Sequence, residues 1–159
     1  MSDLAVPPGF ERFVGADGVV QRVRIAAYAW CERDGAVLLV RVAQPALDRG
    51  RWTVPGGGLH FAEDPRDAVA REVAEESGLE VMPGALLGVR SAVIEPTDTE
   101  SGHRIHTVGI LYRGMVRAGS LRDEADGSTD LARWVALADV EAVELTGVGR
   151  WAVAVSRGA

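Results

Sequence analysis

The sequence predicts an α/β domain in which a central mixed β-sheet is packed between helices, an α/β/α sandwich. Three observations point there. β-rich segments and helical patterns follow one another in the order β-rich, helix, β-rich, helix; a Pro55-Gly56-Gly57-Gly58 loop leads into a helix whose two ends are both specified; and 159 residues, 47% of them hydrophobic, suffice for one sizeable core. A single domain over residues 1–159 follows, with residues 1–10 as a loosely held lead-in containing two prolines and a glycine.

Each element has a local reason. Residues 11–22 centre on Gly-Ala-Asp-Gly and read as a β-hairpin. Residues 23–31 and 36–42 are runs of strand formers separated by Glu-Arg-Asp-Gly, and both are expected to be largely buried. A polar loop over 44–50 precedes Arg-Trp-Thr-Val and the glycines, and residues 65–77 then read as a helix. Strands are expected at 85–94, 105–116 and 132–137, and a closing helical pattern covers 138–155 with a break around 146–149. Trp30, Trp134 and Trp151 read as packing residues. There is no internal repeat and no low-complexity linker.

Composition narrows the function. A net charge of −6 gives no electrostatic footprint for a nucleic-acid polymer or an anionic membrane, while a small polyanion remains accessible through a metal ion. All 17 basic residues are arginine, which removes lysine Schiff-base chemistry and a Walker-type lysine. Cys31 is the single cysteine, so intrachain disulfides and thiolate clusters are excluded and a reducing, cytoplasmic setting is expected. The opening MSDLAVPPGF lacks a basic stretch followed by an apolar one, and nothing in the chain is expected to span or target a membrane.

The central helix is locally unfavourable in one respect. Asp64 suits the N-cap, Pro65 the first helical position, Asp67 the first turn and Gly78 a left-handed stop. At about 100° per residue, Ala70, Val73 and Ala74 share one arc, the expected packing face. Glu72, Glu75 and Glu76 share another, roughly opposite. Like charges at Glu72 and Glu76 cost roughly 0.2–0.5 kcal/mol, and Glu75 and Glu76 sit where the helix dipole prefers cations. A local rule broken without local compensation marks function, and oxygen-only ligands would select a hard cation such as Mg²⁺ or Mn²⁺. The bland alternative is a solvated acidic face. The glycines tip the balance, because they let backbone carbonyls approach a ligand closely.

The residues Gly57, Glu63, Arg71-Glu72-Val73, Glu75-Glu76 and Gly78-Leu79 resemble the complete signature of the Nudix hydrolases, nine positions at fixed spacing over 23 residues. The preceding Trp52-x-x-Pro-Gly extends the likeness. The resemblance implies the Nudix sandwich with its catalytic loop and helix after 55–58. It also implies a Mg²⁺-dependent hydrolase that cleaves a diphosphate linkage in a nucleoside diphosphate derivative such as ADP-ribose. Alternatives within and beyond that class are an 8-oxo-dGTP or dNTP-sanitising pyrophosphohydrolase and a non-catalytic nucleotide-sensing domain. By position, Glu72, Glu75, Glu76 and the Gly56 carbonyl would hold metal, and Arg71 would orient carboxylates by pairing with Glu75 or Glu63. The general base would be Glu72, Glu76 or a later loop residue, for which Glu124 is the candidate; Glu124 could equally be an extra metal ligand, a substrate contact or part of a solvated acidic loop, and a homodimer is compatible because relatives often pair.

Other residues carry weaker signals. Arg51 and Trp52 are candidate substrate contacts, with core packing the alternative for Trp52. Arg90, Arg104 and Arg113 could also meet phosphate. His60 could touch a phosphate or simply be solvated, and His103 and His106 lack metal-ligand spacing. Pro96 resembles the ADP-ribose-cleaving branch of the family, although a loop-rigidifying role explains it equally.

Overall fold

The computed structural model describes residues 13–43 and 46–158, so the expected lead-in and the start of the polar loop lie outside the described residues. The chain builds β1 (Gln21–Arg33), β2 (Ala36–Val42), β3 (Trp52–Thr53), β4 (Gly56–Gly58), α1 (Pro65–Ser77), β5 (Leu79–Ile94), β6 (Arg104–Gly119), β7 (Thr129–Ala136) and α2 (Gly147–Arg157). The strands form one mixed sheet in the order β3-β2-β1-β6-β5, with β4 on β1 and β7 on β2. Only β1 and β6 run parallel; the other pairs are antiparallel.

Alternation along β1 divides the interior into two cores, one on each side of the sheet. Ala26, Tyr28 and Trp30 join Val37, Leu39 and the α2 residues Ala152 and Val153. Ala27, Ala29 and Cys31 join Leu38 and the α1 residues Ala68, Val69 and Val73. A strand buried on both faces reads as a continuous apolar run, which is why 26–31 shows no polar alternation. The expected burial holds for 26–31 and for most of 36–42, but not for 23–25. Val23 is 58% exposed and Ile25 45%, because neither helix reaches that end of the sheet.

Several boundaries differ from expectation. β5 begins at Leu79, six residues before the expected start, and absorbs Pro83-Gly84 through register shifts instead of turning there. The closing helix starts at Gly147. Residues 137–142 are consecutive turns, held by Asp139 N–H to Ala136 O and Ala142 N–H to Asp139 O; Leu145 then bridges Trp52, and Thr146 Oγ1 caps α2 by accepting from Gly149 N–H. The expected hairpin is present over its described part, where Gln21 N–H donates to Phe13 O and Val14 bridges Val20. Pro96 opens a single 3-10 turn after β5.

Candidate active site

The three glycines form β4, an edge strand antiparallel to β1. Ala29 N–H donates to Pro55 O and Leu59 N–H to Ile25 O. That pattern turns the peptide groups of Gly56 and Gly58 away from β1 and towards α1. Gly56 N–H accordingly donates to Glu76 Oε2 at 2.9 Å, and Gly58 O accepts from Arg71 Nη2 at 3.2 Å. An added side chain would collide at two of these positions, with backbone at Gly56 and with a carboxylate end at Gly57. A Cβ on Gly56, at φ +144°, would fall 2.3 Å from Ala27 O, and one on Gly57 would fall 2.6 Å from Glu72 Oε1.

α1 has the ends that its sequence specifies. Asp64 accepts from Arg66 N–H, Pro65 occupies the first turn, and Gly78 closes the helix at φ 72° with its N–H on Ala74 O. Its orientation corrects the expected packing arc. The buried residues are Ala68, Val69, Val73, Glu76 and Ser77, so the packed face is rotated away from Ala70 and Ala74. Glu76 therefore points inward, 2% exposed, instead of sharing a wet face with its neighbours. Glu72 is largely covered, at 14% side-chain exposure, and Glu75 stays half in water, at 51%.

Arg71 ties these groups together, and it meets both partners that its spacing allows. Its Nε and Nη2 donate to the two oxygens of Glu63 at 2.8 Å each, while Nη1 donates to Glu72 Oε1 at 2.8 Å and Glu75 Oε2 at 3.3 Å. The bidentate fork is geometry that lysine cannot reproduce. The Arg71 guanidinium, helped by His60 N–H, lowers the Glu63 carboxyl to about 2.

Two carboxyls are pushed the other way. Burial raises Glu76 well above the ordinary carboxylate range; the Gly56 N–H opposes that rise, and the charges of Glu72, Glu124 and Glu75 add to it. Burial also raises Glu72, against the pull of Arg71. Glu124 thus lies in the same electrostatic neighbourhood, 48 positions further along the chain than Glu76. It is anchored by Thr129, whose N–H and Oγ1–H donate to Glu124 Oε2 at 3.1 and 2.8 Å. Thr129, 4% exposed, carries no sequence signal for this part.

The site is an oxygen-only set of crowded carboxylates, one of them buried. That chemistry fits a hard divalent cation. Among the described residues no three His, Cys, Asp or Glu side chains stand gathered for a cation as they are. The reason is visible: Arg71 holds oxygens of Glu72 and Glu75, and Gly56 N–H holds one of Glu76.

The remaining candidates lie elsewhere. Arg51 is paired with Glu144 and Asp48. Trp52 packs on the α2-side core, and Arg90 sits over Trp151 and donates to Gly147 O. Arg104 pairs with Asp17 and Glu95. The His60 side chain is 70% exposed, and His106 meets Ser91 on the open sheet. Two cavities flank α2 around Val153 and Arg157, away from the carboxylates. None of the described helices is long and apolar enough to cross a membrane.

Comparison with known proteins agrees with this assembly. The NUDIX domain model matches residues 20–152. A candidate 8-oxo-dGTP diphosphatase of Mycobacterium tuberculosis is 39% identical over 80 residues, 48% of this chain and 56% of that protein. An ADP-ribose pyrophosphatase of Methanocaldococcus jannaschii is 35% identical over 97 residues, 60% of this chain and 55% of that protein. The matched part is thus just over half the length of these curated relatives. The crystal structure of a MutT NUDIX hydrolase from Burkholderia pseudomallei superposes with a TM-score of 0.68 at 29% identity, covering 83% of this chain and 96% of that one. A family model spanning most of the chain, and the signature residues gathered around Arg71 and Glu76, place it plainly: this chain belongs to the Nudix family.

Proposed function

We propose that this chain hydrolyses the diphosphate linkage of a nucleoside diphosphate derivative of the ADP-ribose kind, with Mg²⁺ or Mn²⁺ held by Glu72, Glu75, Glu76 and the Gly56 carbonyl. The observation that carries this reading is Glu76, a 2%-exposed carboxylate crowded by Glu72, Glu75 and Glu124. Such crowding is costly in a low-dielectric site, and a divalent cation relieves it. When bound, that cation neutralises diphosphate oxygens and lowers the pKa of a water aimed at phosphorus.

The chain's own groups divide the remaining work. Gly56 N–H fixes Glu76, and Arg71 orients Glu72 and Glu75 while Glu63 holds the guanidinium in place. The acceptor for the water's proton is one of Glu72, Glu76 and Glu124, the last held ready by Thr129. The nucleotide-cleaving relatives from two organisms support a nucleotide substrate, with an oxidised dNTP as the alternative to ADP-ribose. A cytoplasmic setting suits the buried Cys31, whose thiol burial pushes up to about 12, and pairing into a homodimer belongs to the same reading.

The test is direct. Purified protein with Mg²⁺ is mixed with ADP-ribose, sugar nucleotides, dinucleoside polyphosphates and oxidised dNTPs, and phosphate-bearing products are followed. At least one substrate should turn over, and Glu76→Gln should lower that rate by about 10²–10⁴-fold. Failure of the whole panel across Mg²⁺ and Mn²⁺ concentrations would remove the proposal.

A further inference from the structure

Among the described residues, the sheet face that α1 covers continues uncovered beyond the helix, and its three rungs can be followed by register. Gly57, beside Glu72, pairs with Ala27, which pairs with Ile110, which pairs with Val89. One rung further, Ile25 pairs with Val108 and Val108 with Ser91; at the next, Val23 pairs with His106 and His106 with Val93. Alternation puts these side chains on the face of Ala27, hence on the α1 side. Val23, Ile25, Val89 and Val93 are 58, 45, 59 and 55% exposed, an apolar shelf in contact with water. In its middle, Ser91 Oγ and His106 Nε2 stand 2.6 Å apart.

Resting on the hydrolase reading above, we propose that this shelf holds the planar, uncharged base of the substrate, with the Ser91–His106 pair reading one polar edge of the ring. A level row of apolar side chains with one well-placed donor and acceptor makes the surface that a neutral heterocycle needs, and no carboxylate lies among these rungs. The reach is also suitable. Three strand spacings and one two-residue step put Ser91 roughly 16 Å from Gly57, a span that an extended nucleoside diphosphate matches and a bare diphosphate does not. Phe61, two residues beyond the Leu59–Ile25 hydrogen bond, keeps its whole ring in water and is an aromatic side chain free to cover the base.

The probes are adenosine and guanosine, with ribose as the base-free control, titrated into the full chain without metal and followed by backbone NMR shifts. At least one nucleoside should bind tenfold or more tightly than ribose and shift residues 89–93 and 105–108. Ser91→Ala and His106→Ala should each weaken that nucleoside three- to tenfold and leave ribose unchanged, while Val93→Asp, on an exposed position, should abolish the shifts with the fold intact by thermal melting. Equal binding of nucleosides and ribose, or wild-type affinity in all three variants, overturns the proposal; so does a Val93→Asp effect confined to sedimentation, which would assign the shelf to a second copy of the chain. Base binding that persists in a chain hydrolysing nothing would leave the shelf standing and remove the hydrolase. Hydrolysis with an unaltered KM in the shelf variants would do the reverse.

Discussion

Replacing the glycines of β4 one at a time with alanine should separate the fold from the chemistry, because the three missing Cβ atoms face different neighbours. At Gly57 the backbone lies outside the left-handed region, and a Cβ would sit 2.6, 2.7 and 2.8 Å from Glu72 Oε1, Cδ and Oε2. Ordinary contact begins at 3.4 Å, so the carboxylate must retreat by about 0.8 Å, which the end of a side chain can do without moving the main chain. A misplacement of about 1 Å costs on the order of 10²-fold in rate. Stability should barely respond, since alanine gains about 0.4–1 kcal/mol through the unfolded state, and a chain of this size shifts by about 2–4 °C per kcal/mol. Gly56→Ala differs in kind. Its φ of +144° and the 2.3 Å approach to Ala27 O leave only backbone to yield. Strain of about 1–3 kcal/mol and a similar overpacking cost should lower Tm by at least about 4 °C and as much as about 24 °C. Gly58→Ala meets only the Arg24 guanidinium at 3.3 Å and should stay within about twofold of wild type. Melting curves and Mg²⁺-dependent turnover of the three variants decide it. A fully active Gly57→Ala, or one as unstable as Gly56→Ala, refutes the reasoning.

Other outcomes follow from the same contacts. Glu76→Gln keeps an acceptor for Gly56 N–H and removes the buried charge, so the metal-free variant should melt above wild type at neutral pH and lose the Mg²⁺-induced rise in Tm; a variant melting below wild type, or one that still responds to Mg²⁺, contradicts this. Arg71→Lys retains the charge and loses the fork, and the Mg²⁺ concentration for half-maximal turnover should rise about 10–100-fold, as read from a metal titration. Two opposed pH dependences should appear in metal-free melts. Glu63, lowered by Arg71, contributes stability that is full above its ordinary value of 4.5 and lost as pH falls towards about 2. Glu76, raised by burial, acts in reverse: stability declines as pH climbs from 4.5 through its folded value, and added Mg²⁺ should flatten that decline.

Much of the site is legible in one dimension because its devices are local. The cap at Asp64, the proline after it and the left-handed Gly78 act within one turn, and the expected 65–77 helix matches the observed one. Arg71, eight residues after Glu63 and four before Glu75, meets both because helical rise and the preceding loop bring them together. The mixed sheet between two helices likewise follows from the order of elements. The ends of β5 and α2 are a different matter. The expected strand start at 85 and helix break around 146–149 both give way: sheet pairing carries β5 back through Pro83-Gly84 to Leu79, and the Thr146 cap starts α2 at Gly147.

Taken alone, the sequence determines which groups are present and their spacing: the nine-position signature, a glycine-rich lead-in and a capped helix, all set by steric and hydrogen-bonding rules that operate within a few residues. Tertiary packing decides how the helix is rolled on the sheet, and that roll turns Glu76 inward, where the charge of Glu124, 48 positions away, acts on it, and leaves Val23 and Ile25 beyond the reach of α1. Burial is a property of the whole assembly. A periodic pattern names an apolar arc, but the cores on both sides of β1 choose which residues of that arc lie against them.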